Sequence, residues 1–111
     1  DGSFGMCVGE METLVRYKVP LTMIVFSNST YGWIKASQKA SYGQRYYSVD
    51  FGRTQNARIA EAYGVKAFTV DDPAKLGSVL KQAVEHGGPT LVDVMALSLE
   101  ECPAPVLQWM G

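Results

Sequence analysis

The sequence has one histidine, His86, and two cysteines, Cys7 and Cys102. A multi-histidine metal site within the chain is therefore excluded. The cysteines form neither a CxxC pair nor a zinc spacing, and two isolated thiols in a well-cored domain fit a reducing cytoplasm. Positive charge is never concentrated: no two of the ten Lys and Arg residues are adjacent, and the net charge is −1. Nucleic acid is a poor expectation for a partner on that ground. Long apolar runs are also lacking. The stretch around Met23–Phe26 falls far short of the ~20 residues that cross a bilayer, so no membrane partner is expected. There is no internal repeat and no low-complexity segment.

What is present is a core. Hydrophobic residues make up 47% of the 111 positions, enough for one compact domain. Residues 4–17 read as a helix, with Met11, Leu14 and Val15 on one stripe that Met6 or Cys7 extends by a turn. Pro20 stops it. Leu21–Phe26 reads as a strand without alternation, the pattern of a strand covered on both faces in a parallel sheet. A polar loop, Ser27-Asn28-Ser29-Thr30, follows it. Tyr31–Ala40 reads as a short helix and Ser41–Thr54 as a long Tyr- and Gly-rich loop. Gln55–Tyr63 reads as another helix, with Gly64 at its C′ position. Val65–Val70 is a strand. Asp71-Asp72-Pro73 opens a helix whose stripe (Leu76, Val79, Leu80, Ala83, Val84) runs to His86. Gly87-Gly88 ends it, and Pro89–Leu97 is the last strand. Residues 98–111, with Pro103 and Pro105, are expected to form an arm that Trp109 anchors or leaves mobile.

Helices alternating with strands predict an α/β fold with a parallel sheet. Asp1-Gly2 looks like the turn after a strand, so the sequence is expected to be the back half of a sheet flanked by helices. Ligands of such sheets bind beyond the carboxyl ends of the strands. Asp1 and Asn28 would both lie there, and if the strands they follow are neighbours, the strand ends lie about 5 Å apart. A carboxylate and an amide oxygen suit Mg²⁺, which takes hard oxygen ligands and phosphate oxygens. Gly2 lets a phosphate approach the backbone, and the N–H groups near Ser3 and Phe4 at a helix start suit an anion. Taken alone, Asp-Gly and Ser-Asn-Ser are also ordinary turn residues.

Asp1-Gly2-Ser3-Phe4-Gly5-Met6, then Glu10, Thr13, Arg16-Tyr17 and Pro20, then Ser27-Asn28-Ser29-Thr30-Tyr31-Gly32, together resemble the thiamine diphosphate (ThDP) enzymes. The acetolactate synthase and pyruvate decarboxylase-like group is the nearest in appearance. Ile59-Ala60-Glu61-Ala62-Tyr63-Gly64 and Gly87-Gly88-Pro89-Thr90-Leu91-Val92-Asp93-Val94 are similar to the C-terminal, diphosphate-binding domain of that group. The resemblance leaves out residues 33–50 and about the last dozen. Its motif is Gly-Asp-Gly, a spacer of about 25 residues, then Asn-Asn. Here the leading Gly is absent, and Ser27 replaces the first Asn.

The resemblance implies ThDP and Mg²⁺ as cofactors. It implies Asp1 and Asn28 as side-chain metal ligands, the Thr30 carbonyl as a third, and Gly2, Ser3, Tyr31 and Gly32 at the cofactor. The implied enzyme decarboxylates a 2-oxo acid or joins its remnant to a second carbonyl compound. The activating glutamate would lie outside these residues, in a pyrimidine-binding domain or partner subunit, so the catalytic residue within the chain is unknown. Glu10, Glu12, Glu61 and Glu85 are expected to be solvated surface. The isolated chain is expected to be inactive, and the complete enzyme a homo-oligomer, commonly a dimer.

Several residues keep two readings. Tyr31, Trp33 and Ile34 either face the cofactor site or pack as a half-buried helix. Tyr42, Arg45, Tyr46 and Tyr47 form either a substrate or interface surface or simply an aromatic loop. His86 is read as a structural C-terminal residue and Cys7 as a small core residue. The rival to the enzyme reading is a noncatalytic, flavodoxin-like α/β module binding a phosphorylated ligand or a partner protein. A piece serving only as an assembly surface is a third possibility.

Overall fold

The computed structural model describes residues 1–98. Helices α1 (Gly2–Cys7) and α2 (Glu10–Arg16) lead into strand β1 (Thr22–Ser27). Helices α3 (Gly32–Ser41) and α4 (Asn56–Ala62) precede β2 (Lys66–Val70). Helix α5 (Pro73–Glu85) then leads to β3 (Thr90–Met95). The three strands form a parallel sheet in the order β1-β3-β2, with Val25, Asp93 and Thr69 in register. This is the expected α/β architecture. The expected arm lies outside the described residues except for its first residue, Ser98.

Each face of the sheet has its own apolar core. On one face Met11, Val25, Ala60, Val65 and Leu91 pack with Phe4, Val8, Val15, Met23 and Ile59. On the other, Val70, Ala83 and Val92 pack with Leu76, Val79 and Leu80 of α5. The helix start at Asp72-Pro73 is as predicted: the Asp72 carboxylate accepts the Ala74 N–H at 3.0 Å. Gly64 and Gly87 take left-handed φ values of 86° and 72° just past α4 and α5, which only glycine adopts without strain.

Three expectations are corrected. The helix expected over residues 4–17 is two helices, because at Val8-Gly9 the bonding tightens to Met11 N–H→Val8 O and Glu12 N–H→Gly9 O, one residue short of the α pattern. The stripe that reaches the core is Phe4, Val8, Met11 and Val15. Met6 and Cys7 are exposed, so Cys7 is a surface thiol and not a core residue. Finally, β1 is not covered on both faces. Ile24 and Phe26 are 47% and 63% exposed, because α5 packs over β2 and β3. The strand buried on both sides is the central one, β3, where Thr90, Leu91, Val92 and Asp93 are all buried.

Candidate active site at the carboxyl end of the sheet

Chain direction brings the two ends of the motif together. The Asp1 nitrogen donates to the Phe26 carbonyl at 2.8 Å, which seats Asp1 beside the carboxyl end of β1. Its carboxylate then reaches in two directions. Oδ1 accepts the Gly2 N–H at 3.2 Å and caps α1. Oδ2 accepts the Ser29 N–H at 2.9 Å, in the loop between Asn28 and Thr30. Ser29 has a left-handed φ of 56°, which folds that loop tightly, and Asn28 Oδ1 accepts the Thr30 N–H at 3.3 Å. Asp1 and Asn28 therefore share one short stretch of backbone.

Thr30 is held from outside by a second loop. Tyr31 N–H donates to Val49 O at 2.8 Å and Phe51 N–H to Ser29 O at 3.1 Å, so Thr30 faces Asp50 as a single antiparallel bridge. In such a pair the flanking residues make the bonds, and the central residue's own N–H and C=O are left to the opposite side. That side holds the Asn28 amide oxygen. The Thr30 hydroxyl donates to Val49 O at 3.0 Å.

The remaining predicted cofactor residues cluster here, with one surprise. A Cβ built on Gly2 would lie 2.4 Å from Tyr31 Cε1, so the Tyr31 ring fills the space that the glycine leaves. The ring also meets Phe51 at a centroid distance of 5.0 Å. Gly2 is thus needed for the approach of a side chain. Ser3 is exposed on the first turn of α1, and Gly32 opens α3. Trp33, Ile34, Tyr42 and Tyr47 are largely exposed, Arg45 is exposed, and Tyr46 is exposed by little more than a third. Glu10, Glu12, Glu61 and Glu85 are surface residues, as expected. His86 is the C-terminal cap of α5.

Beneath the loop lies a buried polar floor. Ser27 Oγ donates to Asp93 Oδ1 at 2.5 Å and accepts from Asn56 Nδ2 at 2.9 Å. Ser27, Asp93 and Asn56 are all buried, and among the described residues no buried side-chain polar atom lacks a partner. On the other side of Asp93 a cleft of about 410 Å³ opens, lined by Arg53, Gln55, Arg58 and Thr69; it contains none of the motif residues.

Asp93, Asn56, Lys35 and Asp50 were not singled out from the sequence. Asp93 carried a visible signal, a carboxylate within the apolar run Leu91-Val92-Asp93-Val94. Lys35 and Asp50 carried none. Lys35 Nζ lies 2.9 and 3.0 Å from the two Asp50 oxygens. That ammonium is the main cause holding the Asp50 carboxyl below its ordinary value, with the nearby Thr30 hydroxyl second.

Among the described residues no cluster of three His, Cys, Asp or Glu side chains exists. A cation held by the described residues at this loop would draw on amide and carbonyl oxygens as well as on the Asp1 carboxylate. That donor set fits Mg²⁺, and the residues present fit the group that the motif implies.

The sequence profile described as "Thiamine pyrophosphate enzyme, C-terminal TPP binding domain" matches residues 1–94. The acetolactate synthase large subunit of Porphyra purpurea is 36% identical over 104 residues, covering 92% of this chain and 18% of the relative. The acetolactate synthase of Bacillus subtilis is 37% identical over 94 residues, covering 85% and 16%. Among solved structures, the Rhodococcus jostii RHA1 thiamine diphosphate-dependent 4-hydroxybenzoylformate decarboxylase superposes with a TM-score of 0.83 at 26% identity. It covers 88% of this chain and 19% of that one. The chain thus spans under a fifth of the length of these relatives. The match sets aside the flavodoxin-like alternative. With motif, fold and profile in agreement over nearly the whole described length, the chain belongs to the thiamine diphosphate enzymes, as a C-terminal ThDP-binding domain.

Proposed function

We propose that this chain supplies the Mg²⁺–diphosphate anchor of a ThDP-dependent 2-oxo acid decarboxylase or carboligase of the acetolactate synthase kind. One observation carries the proposal: the Asp1 carboxylate bonds the Ser29 N–H at 2.9 Å, which places it on the loop that bears Asn28 and Thr30. Asp1 and Asn28 would hold the ion through their side chains and Thr30 through its carbonyl. Ser3 and Gly32, at the starts of α1 and α3, would face the diphosphate with Gly2 and Tyr31. When bound, the cofactor supplies the carbanion-stabilising chemistry that decarboxylation of a 2-oxo acid requires.

The work of the chain's own residues is to bind and orient. Asp1 would offset part of the ion's charge, Asn28 would add a neutral amide oxygen, and the hydrogen bonds of Ser27 to Asp93 and Asn56 fix the residue that precedes Asn28. Glu10, Glu12, Glu61 and Glu85, all on the surface, are assigned no part in proton transfer. The activating carboxylate is proposed to come from a pyrimidine-binding domain or a partner subunit, within a homo-oligomer such as a dimer. A cytoplasmic setting fits the two isolated thiols. Among the described residues no helix is long and apolar enough to cross a membrane.

Calorimetry with ThDP and Mg²⁺ tests the reading in the polypeptide that carries this chain. Binding should require Mg²⁺ and fall at least tenfold on Asn28→Ala. Tight binding indifferent to both would refute it. The isolated 111-residue chain should bind weakly and release no carbon dioxide from pyruvate.

A further inference from the structure

We infer that Lys35 and Asp50 form a positioning clamp that aims the Thr30 carbonyl at the metal, an inference that rests on the metal-anchor reading above. Lys35 stands in the first turns of α3, and its side chain is only 10% exposed. An ammonium that deep needs an anion beside it. Asp50 provides one with both oxygens, at 2.9 and 3.0 Å, and Tyr46 adds its ring face at 5.2 Å. Asp50 is also the residue opposite Thr30 in the bridge. The ion pair therefore ties the loop that touches the Thr30 backbone to the helix that follows Thr30.

The outer part of that loop has few other contacts among the described residues. Residues 41–48 are all exposed, and Gly43, Gln44 and Ser48 have left-handed φ values. Among the described residues the other attachments are the exposed Gln38–Tyr47 pair, the buried Val49, whose carbonyl accepts from the Tyr31 N–H and the Thr30 hydroxyl, the Phe51 N–H bond to Ser29 O, and the Tyr31–Phe51 ring contact. The bonds that turn Thr30's own C=O away from Asp50 come from Val49 and Phe51, the immediate neighbours of Asp50. Freed from Lys35, Asp50 can swing outward, and the two flanking bonds lose their fixed spacing. The Thr30 carbonyl then loses its aim. Neither side chain touches the ion; both act through the Thr30 backbone. Partners that orient a metal ligand in this way typically change metal affinity by 10- to 100-fold.

The test uses the polypeptide that carries this chain, with Mn²⁺ replacing Mg²⁺ in the presence of ThDP. The paramagnetic resonance signal of free Mn²⁺ gives the affinity, and the bound-ion spectrum reports the symmetry of its ligands. Lys35→Met and Asp50→Asn should each weaken Mn²⁺ binding about tenfold and broaden the bound spectrum. The double variant should be no worse than either single, and Lys35→Arg should recover most of the affinity. If Asn28→Ala abolishes binding while Lys35→Met and Asp50→Asn stay within twofold and keep the wild-type spectrum, the clamp is overturned and the metal reading stands. If Asn28→Ala itself changes nothing, the metal reading fails and the clamp with it. Should Lys35→Met fail to fold, Asp50→Asn carries the test, since that side chain is 58% exposed and belongs to neither apolar core.

Discussion

Leu91 and Asp93 stand two residues apart on β3 and point to the same side of the sheet. Leu91 is fully buried in the amino half of that face, among Met11, Val25, Ala60 and Val65. Asp93 is just as inaccessible in the carboxyl half, but it accepts a hydrogen bond from the Ser27 hydroxyl, which in turn accepts one from Asn56. One face thus changes from apolar packing to a polar network within a single step. The change comes where the strands approach the motif loop. Apolar contacts are non-directional and tolerate small shifts, whereas a satisfied hydrogen-bond network fixes positions. The half of the face that only has to be stable is oily. The half that leads into the loop bearing Asn28 is bonded.

Substitutions can break this contrast. Leu91→Ala should cost about 2–5 kcal/mol of folding stability, as for other large-to-small core changes, and leave ThDP affinity unchanged once the protein is folded. Denaturant unfolding followed by ligand titration checks both halves of that statement. Asp93→Ala should cost about 1–3 kcal/mol by stranding the buried Ser27 hydroxyl donor, and should also weaken metal binding. If both variants affected stability alone, the polar half would have no special role. Gly2→Ala forces a Cβ against the Tyr31 ring and should cost about 1–3 kcal/mol as local overpacking. Pairing it with Tyr31→Ala should recover part of that loss.

The smallest effect expected is a pH dependence at Asp50. Its folded pKa lies below the unfolded one, so the native state binds fewer protons there than the unfolded chain. The stabilisation is complete above an unfolded pKa of about 3.9 and disappears as pH falls through the depressed folded value. Acid titration of the melting temperature should therefore fall more steeply below about pH 4 in the wild type than in Asp50→Asn. The difference should be small because the group is exposed to solvent.

The parts legible in the sequence are those with local causes. Asp72-Pro73 and Gly64 announce a helix start and a helix end through backbone chemistry confined to a few residues, and both stand where expected. Asp1 and Asn28 were legible through their motif, and the fold brings them to one loop. The break at Val8-Gly9 was not legible, because both residues keep right-handed helical angles and only the bonding pattern changes. The bare face of β1 was missed for another reason. An apolar run shows that a strand is apolar, not that something in the same chain covers it. Lys35 and Asp50, 15 residues apart, were invisible because a surface-type lysine becomes buried only when a distant loop folds over it.

The most direct measurement is a crystal structure of the polypeptide carrying this chain, grown with ThDP and Mg²⁺. The account predicts one ion with an Asp1 carboxylate oxygen, the Asn28 amide oxygen and the Thr30 carbonyl oxygen each at about 2.0–2.1 Å. An ion bound to the diphosphate with Asn28 and Thr30 turned away from it would contradict the account.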